Sequence, residues 1–272
     1  MNYCGDLRKM QAVLRQDGTA SYQLPLDGET LVPLDPLLGH ELTLVWQGEI
    51  HCIHCGRKTS KSFNQGYCFP CLRRLARCDT CIVRPELCHF HQGTCREPEW
   101  ARQHCFQPHI IYLANASGLK VGITRQSQIP TRWLDQGATQ ALPILQVPDR
   151  RQAGLVEVIL KQSVSDRTQW QKMLKGEAEP VDLPAQRDKL LKEKWPQIRA
   201  LEAGEAIQRL SAEPVSIQYP VLRYPDRVTA WHFDKCETVT GILQGVKGQY
   251  LILDTGVLNV RKFAGYRVAV TA

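Results

Sequence analysis

Nine of the chain's eleven cysteines crowd into 54 consecutive positions, from Cys52 to Cys105, while Cys4 and Cys236 lie far outside that stretch. Such crowding leaves two ways to fold: a disulfide scaffold, or loops tied to metal through thiolates. Disulfide scaffolds are short secreted domains whose cysteines spread along the whole fold. Here they come as CxxC pairs, and the opening residues, MNYCGDLRKM, lack the apolar core of a secretory signal. The pattern predicts metal ligation in a reducing cytoplasm. No apolar run approaches the roughly 18–20 residues that cross a bilayer, so no membrane association is expected.

Cys52-Ile53-His54-Cys55 and Cys68-Phe69-Pro70-Cys71 stand twelve residues apart. Each CxxC makes a tight turn that lets two sulfurs share one ion, and two such turns complete a closed tetrahedral shell. Zinc suits that shell, and an iron–sulfur cluster uses the same ligands. A second CxxC, Cys78-Asp79-Thr80-Cys81, predicts a second shell completed by Cys95 and Cys105, with Cys88, His91 and His109 as alternatives. Two structural zinc ions are therefore expected. Between the first pairs lie Arg57, Lys58 and Lys61 beside Phe63, and Arg73 follows them. With a net charge of +7, this basic loop reads as a nucleic-acid contact or, as the ordinary alternative, as solvated surface.

The remainder predicts an α+β chain of several units. Residues 1–50 form a β-rich N-terminal unit, with a hairpin turn at Asp17-Gly18, a loop at 31–38 and a strand at 41–50. Residues 51–107 are the zinc module. Residues 108–170 read β-β-α-β-α: strands at 110–114, 119–124 and 142–147, a short helix from Pro130 to a terminal Gly137, and a helix capped by Asp149. Residues 171–212 are helical, at 189–195 and 198–210, broken by prolines. Residues 213–272 alternate short strands with glycine turns, as a small β-barrel would.

In the third unit, Ile110-Ile111-Tyr112, Lys120-Val121-Gly122-Ile123-Thr124, Arg132 and Glu157 together resemble a divergent GIY-YIG domain over residues 108–170. That resemblance implies a three-stranded antiparallel sheet with flanking helices. It also implies metal-dependent phosphodiester cleavage: Tyr112 helps activate water, Arg132 stabilises the phosphate and Glu157 holds a divalent ion such as magnesium. This sequence departs from the family in having Ile110 for the first motif's glycine and Lys120 for the second motif's tyrosine. Lysine occurs there in some restriction-enzyme relatives, where it assists the water. The whole chain, through IHCIHCGRKTSKSF, GYCFPC and YLANASGLKVGITR, also resembles a little-characterised family of prokaryotic zinc-cluster proteins.

The expected function is thus a cytoplasmic nucleic-acid-binding zinc protein cleaving DNA or RNA at Tyr112, Lys120, Arg132 and Glu157. Arg57, Lys58, Lys61, Arg73 and Arg125 would contact the nucleic acid. Two alternatives keep the same fold without turnover: a DNA- or RNA-binding protein, and a zinc-stabilised adaptor for another protein.

Overall fold

A computed structural model describes residues 1–272. The N-terminal segment holds β1 (Asn2–Asp6), β2 (Gln11–Leu14), β3 (Ala20–Leu26), β4 (Thr30–Pro33) and β5 (Glu41–Ile50). The cysteine-rich segment has only two short helices, α1 (Phe69–Arg74) and α2 (Pro98–His104), among single 3-10 turns. Then come β6 (His109–Asn115), β7 (Leu119–Arg125), α3 (Thr131–Asp135), β8 (Gln140–Val147) and α4 (Arg150–Leu160). Next are α5 (Trp170–Leu174), α6 (Leu183–Arg199), β9 (Gln208–Arg209) and β10 (Val215–Ser216). The chain closes with β11 (Thr238–Lys247), β12 (Tyr250–Leu253), β13 (Gly256–Asn259) and β14 (Tyr266–Thr271).

These strands make a mixed α/β fold with three antiparallel sheets. The largest runs β1-β14-β5-β11-β12-β13 and is open, with β1 and β13 as its ends. The separate C-terminal barrel expected from the strand spacing is therefore corrected. Its strands take partners from the N-terminus instead, and β5 lies between β14 and β11, so residues 1–50 and 213–272 share one sheet. Strands β2, β3 and β4 form a second sheet, the last of them inside the stretch read as loop. The third runs β10-β8-β6-β7, leaving β7 at its edge.

β6 explains how the layers meet. Its residues alternate faces, as the two-residue period of a strand requires. Tyr112 and Ala114 join the large core beneath the six-stranded sheet, while Ile111 and Leu113 join a second core with Ala153, Val156 and Leu160 of α4 and Leu190 and Ile198 of α6. Trp133 and Leu134 of α3 belong to the first core. Helices α3 and α4 thus flank opposite faces of this sheet.

Local signals act as chemistry dictates. Asp149 Oδ1 accepts from the Gln152 N–H at 2.8 Å, capping α4. Gly137, just past α3, has φ +66°, a conformation that costs glycine nothing. The two helices expected across 189–210 are instead one, α6, which starts beside Pro184 and runs through Pro196, followed by β9. Proline at a helix start forfeits no bond, and one near the end forfeits a single bond. No helix is long and apolar enough to cross a membrane.

Candidate functional site

The first cysteine cluster hangs directly from β5. His51 Nδ1 lies 3.0 Å from Asp6 Oδ1, and its backbone N–H donates to Gly265 O at 2.7 Å, so the module starts from a fixed point on the sheet. Gly56, with φ +70°, closes the first turn, and the second CxxC runs into α1. The sulfurs of Cys52, Cys55, Cys68 and Cys71 all lie within 4.8 Å of one another, with Cys55 and Cys68 3.8 Å apart. Zinc–sulfur bonds of about 2.3 Å in a tetrahedron put sulfurs about 3.8 Å apart, so the geometry is compatible with a zinc site. Burial works against ionising Cys52, yet the N–H groups of Cys55, Cys68 and His54 hold its thiol down at about 6, while burial pushes Cys71 up to about 12.

The second expected shell is rearranged. Cys78 packs against Cys52, Cys68, Cys71 and Leu75. Its place beside Cys81, Cys95 and Cys105 is taken by Cys88, and these four line a single small cavity. The reason lies in the 3-10 turns at 76–78 and 80–82, which turn the two ends of the CxxC toward different neighbours. His91 is exposed, and His109 is buried in β6 outside that cavity, where burial pushes its imidazole down to about 4.

The main groove, about 840 Å³, opens along the β7 edge. Gly122, Ile123, Thr124 and Arg125 form one wall, and three other parts of the chain supply the rest: the N-terminal segment, the cysteine-rich segment and residues 261–264. Arg132 from α3 and Glu157 from α4 reach it from the two faces of the β6–β8 sheet. Seven lining side chains are Arg or Lys, against the three carboxylates of Asp135, Glu157 and Asp166. Lys9 is paired with Asp135 and Arg8 with Asp6. Arg77, Arg125, Arg132, Arg150 and Arg261 have no carboxylate partner, so the groove carries excess positive charge. No hydrogen bond or ion pair engages the Glu157 carboxylate, and burial raises its pKa ahead of the opposing effect of Lys161.

Tyr112 and Lys120 lie beneath this groove, outside its lining. Tyr112 is fully buried, and its hydroxyl donates to Gln136 Oε1 at 3.0 Å. Gly122 stands opposite it in the β6–β7 register, and a Cβ there would sit 2.6 Å from the tyrosine hydroxyl. We expect Gly122→Ala to destabilise the fold by about 1–3 kcal/mol through overpacking in a site with no room to relax. Denaturant unfolding of that variant beside Tyr112→Phe measures it, and an unchanged midpoint for Gly122→Ala would refute the tight contact. Lys120 is buried, and its Nζ donates to Thr168 Oγ1 at 2.6 Å. Burial first, then the charge of Arg132, pulls its pKa down to about 7, against the pull of Asp166 and Glu157.

The predicted nucleic-acid contacts divide. Arg125 lines the groove, whereas Arg57, Lys58, Lys61 and Arg73 are exposed on the zinc module away from it. Lys58 is held by Glu49 at 2.6 Å, and Lys61 lies 5.4 Å from the centre of the Phe63 ring. Sequence reasoning missed Arg150 and Arg261. Arg150 had a signal: a cation in the first turn of a helix opposes the macrodipole and asks for another reason to be there. Arg261 had none.

A family model described as a protein of unknown function, DUF2797, matches residues 39–268. The chain belongs to the DUF2797 family. Its span takes in both cysteine clusters and all the groove residues except Arg8, Lys9, Gln11, Pro25 and Gly28. No curated protein and no solved structure matches this DUF2797 chain.

Proposed function

We propose that this DUF2797 protein binds nucleic acid in the basic groove and cleaves a phosphodiester there with a GIY-YIG-like site. One observation carries the reading: Arg132 and Glu157, from helices on opposite faces of the β6–β8 sheet, meet in one cationic groove floored by Gly122, with the Tyr112 hydroxyl directly beneath. The β-β-α-β-α order of this unit agrees with the resemblance in its motifs. Unpaired arginines suit a polyanion, and their attraction to it weakens as salt rises.

The roles follow from chemistry. Arg132 places a permanent cation where charge builds on the phosphorane. Glu157, free of protein donors, offers a hard oxygen ligand, and Asp166 lines the same groove. A magnesium ion takes one or two carboxylates and keeps several waters, so these residues suit it. Bound there, it would supply Lewis-acid stabilisation of the phosphate oxygens. Burial raises the Tyr112 phenol and lowers the Lys120 ammonium to about 7, so at neutral pH Lys120 is the better proton acceptor of the two. Tyr112, hydrogen-bonded to Gln136, then serves to hold α3 and Arg132 in place. Its enclosure is also the observation that favours a second reading, a groove that binds nucleic acid without turnover.

The test is a magnesium-dependent cleavage assay on single- and double-stranded DNA and RNA, with binding measured across a salt series. We expect Arg132→Ala to lower cleavage by about a hundredfold or more, while binding that falls steeply with salt survives in the same variant. Binding with no cleavage of any substrate supports the second reading, and binding indifferent to salt removes both.

Lys120 adds a pH prediction. Unfolded, this lysine keeps its proton up to its ordinary 10.5; folded, it releases it near 7. Between those values the folded state binds fewer protons, so stability gains from this group as pH rises from about 7 to about 10. Thermal unfolding of Lys120→Met should lack that gain. A parallel pH dependence in wild type and variant would show that Lys120 keeps an ordinary ammonium.

A further inference from the structure

We infer that Cys81, Cys88, Cys95 and Cys105 form a second metal site holding a single zinc ion, and that this ion fixes the helix bearing Glu157. The four thiols come from four separate loops: the turn at 80–82, the end of the turn at 85–87, the stretch beyond Gly93, and the end of α2. They line one cavity whose other walls are chiefly apolar, including Ile82, Phe90, Trp100 and Phe106. None of the four sulfurs makes a hydrogen bond, and none is in a disulfide. Residues 76–107 contain no strand and one seven-residue helix, so little besides the cavity itself joins these loops. Metal ligation supplies what the missing core does not.

Size and charge then choose the occupant. The cavity holds about 20 Å³, close to the volume that admits one water. That suits one ion. Beside it lies Arg150, half-buried, without a carboxylate partner, and with its Nε making no hydrogen bond. Its guanidinium donates only to the Ile82 carbonyl, and it lies close enough to Cys81 and Cys105 for their charges to interact. A cation drawn partly out of water gains from a nearby counter-charge, and four thiolates on one zinc carry a net of about −2. The thiols and the orphaned arginine therefore point independently to the same centre.

Two other ligand sets lie beside these four thiols. Cys78 belongs with the first cluster. Asp79, Cys81 and His89 bring ligand atoms within 4.8 Å of one another; Asp79 Oδ2 receives Arg96 Nε at 2.8 Å and His89 Nδ1 is bonded to Thr94 Oγ1 at 2.7 Å, which leaves His89 Nε2 without a hydrogen bond, so His89→Ala is the variant that separates this set from the four thiols.

The consequence for the groove is mechanical. The turn at 85–87, which lies between ligands Cys81 and Cys88, packs so tightly on α4 that a Cβ on Gly154 would meet Glu86 N at 2.5 Å. Cys105 O accepts from the Arg150 N–H at 2.9 Å, at the first residue of the same helix. The loops that would hold the ion thus meet α4 at Gly154, about one turn before Glu157, and at Arg150, about two turns before it. Cys88 and Cys105 are positioning residues in this sense, and that part rests on the cleavage reading above; the ligand assignment does not.

Metal content of the purified full chain, by native mass spectrometry and elemental analysis, decides the assignment without any activity. We expect two zinc ions per chain in the wild type, one in Cys88→Ser and Cys95→Ser, and two in Cys78→Ser and His89→Ala. Because a serine variant can fail to fold, cobalt-substituted wild type provides a second reading: thiolate-to-cobalt absorption corresponding to two four-sulfur centres. One zinc in the wild type, loss of an ion in Cys78→Ser or His89→Ala, or iron with visible cluster absorption would each overturn the assignment. If the metal count holds while no substrate is cleaved, the site stands and only its role at Glu157 falls.

Discussion

Replacing Cys68 with serine should strip one zinc from the chain and unravel the segment between β5 and β6. Structural zinc contributes an apparent 10–16 kcal/mol in small metal-built modules, roughly the whole stability of an ordinary domain. Cys68 and Cys71 are buried, and with Cys52 and Leu75 they make up the small buried cluster of this part of the chain. A serine oxygen is a poor substitute for a soft thiolate, and the hydroxyl left inside has no partner waiting for it. The expected readouts are loss of one metal ion, rapid proteolysis within residues 52–107, and a retained signal from the six-stranded sheet, whose strands pair only with one another. Chelation of the wild type should reproduce the pattern. A Cys68→Ser chain that keeps its full metal content and resists protease would dismiss the site.

The second large effect separates chemistry from folding at one residue. Glu157→Gln should reduce cleavage by about a hundredfold or more while leaving thermal stability equal or higher at pH 7 to 8. The sign comes from burial, which raises the Glu157 pKa. An acid raised in the fold favours stability at low pH and loses that contribution as pH climbs through its folded pKa. The neutral amide escapes this loss, and no hydrogen bond or ion pair goes with the carboxylate. A merely structural glutamate behaves the other way: its amide loses stability and activity together. Equal cleavage by Glu157→Gln and wild type would end the catalytic reading.

Legibility followed the distance over which each feature is decided. The Cys52–Cys71 cluster was readable because each CxxC turn is set by neighbouring residues, and the same is true of the Asp149 cap and the β6–β7 hairpin. The sheet was not, since β1 pairs with β14 and β5 with β11 across most of the chain, and no local pattern names a partner that far away. Residues 2–6 carry no strand signal strong enough to stand without β14. Which cysteines join the second set was not legible for a related reason. CxxC spacing permits two sulfurs to share an ion, while the turns at 76–78 and 80–82 decide whether they do. Lys247 shows the same limit, being wholly buried in β11, where its Nζ donates to the Gly176 carbonyl. The groove's charge was legible only as net charge, because Arg77, Arg150 and Arg261 come together through the tertiary fold alone.

The place of β5 at the middle of the large sheet also sets a timetable for the molecule's birth. As the chain leaves the ribosome, the cysteine turns emerge just after β5, and their ligands are all present by residue 105. β5 itself must wait for β11 and β14, more than 130 residues behind Cys105, and the groove lacks a wall until Arg261 and Ala264 arrive. Any metal these cysteines hold can therefore be loaded onto a nascent chain well before the groove exists. A chain halted short of residue 261 would hold every cysteine of the two clusters yet lack one wall of the groove.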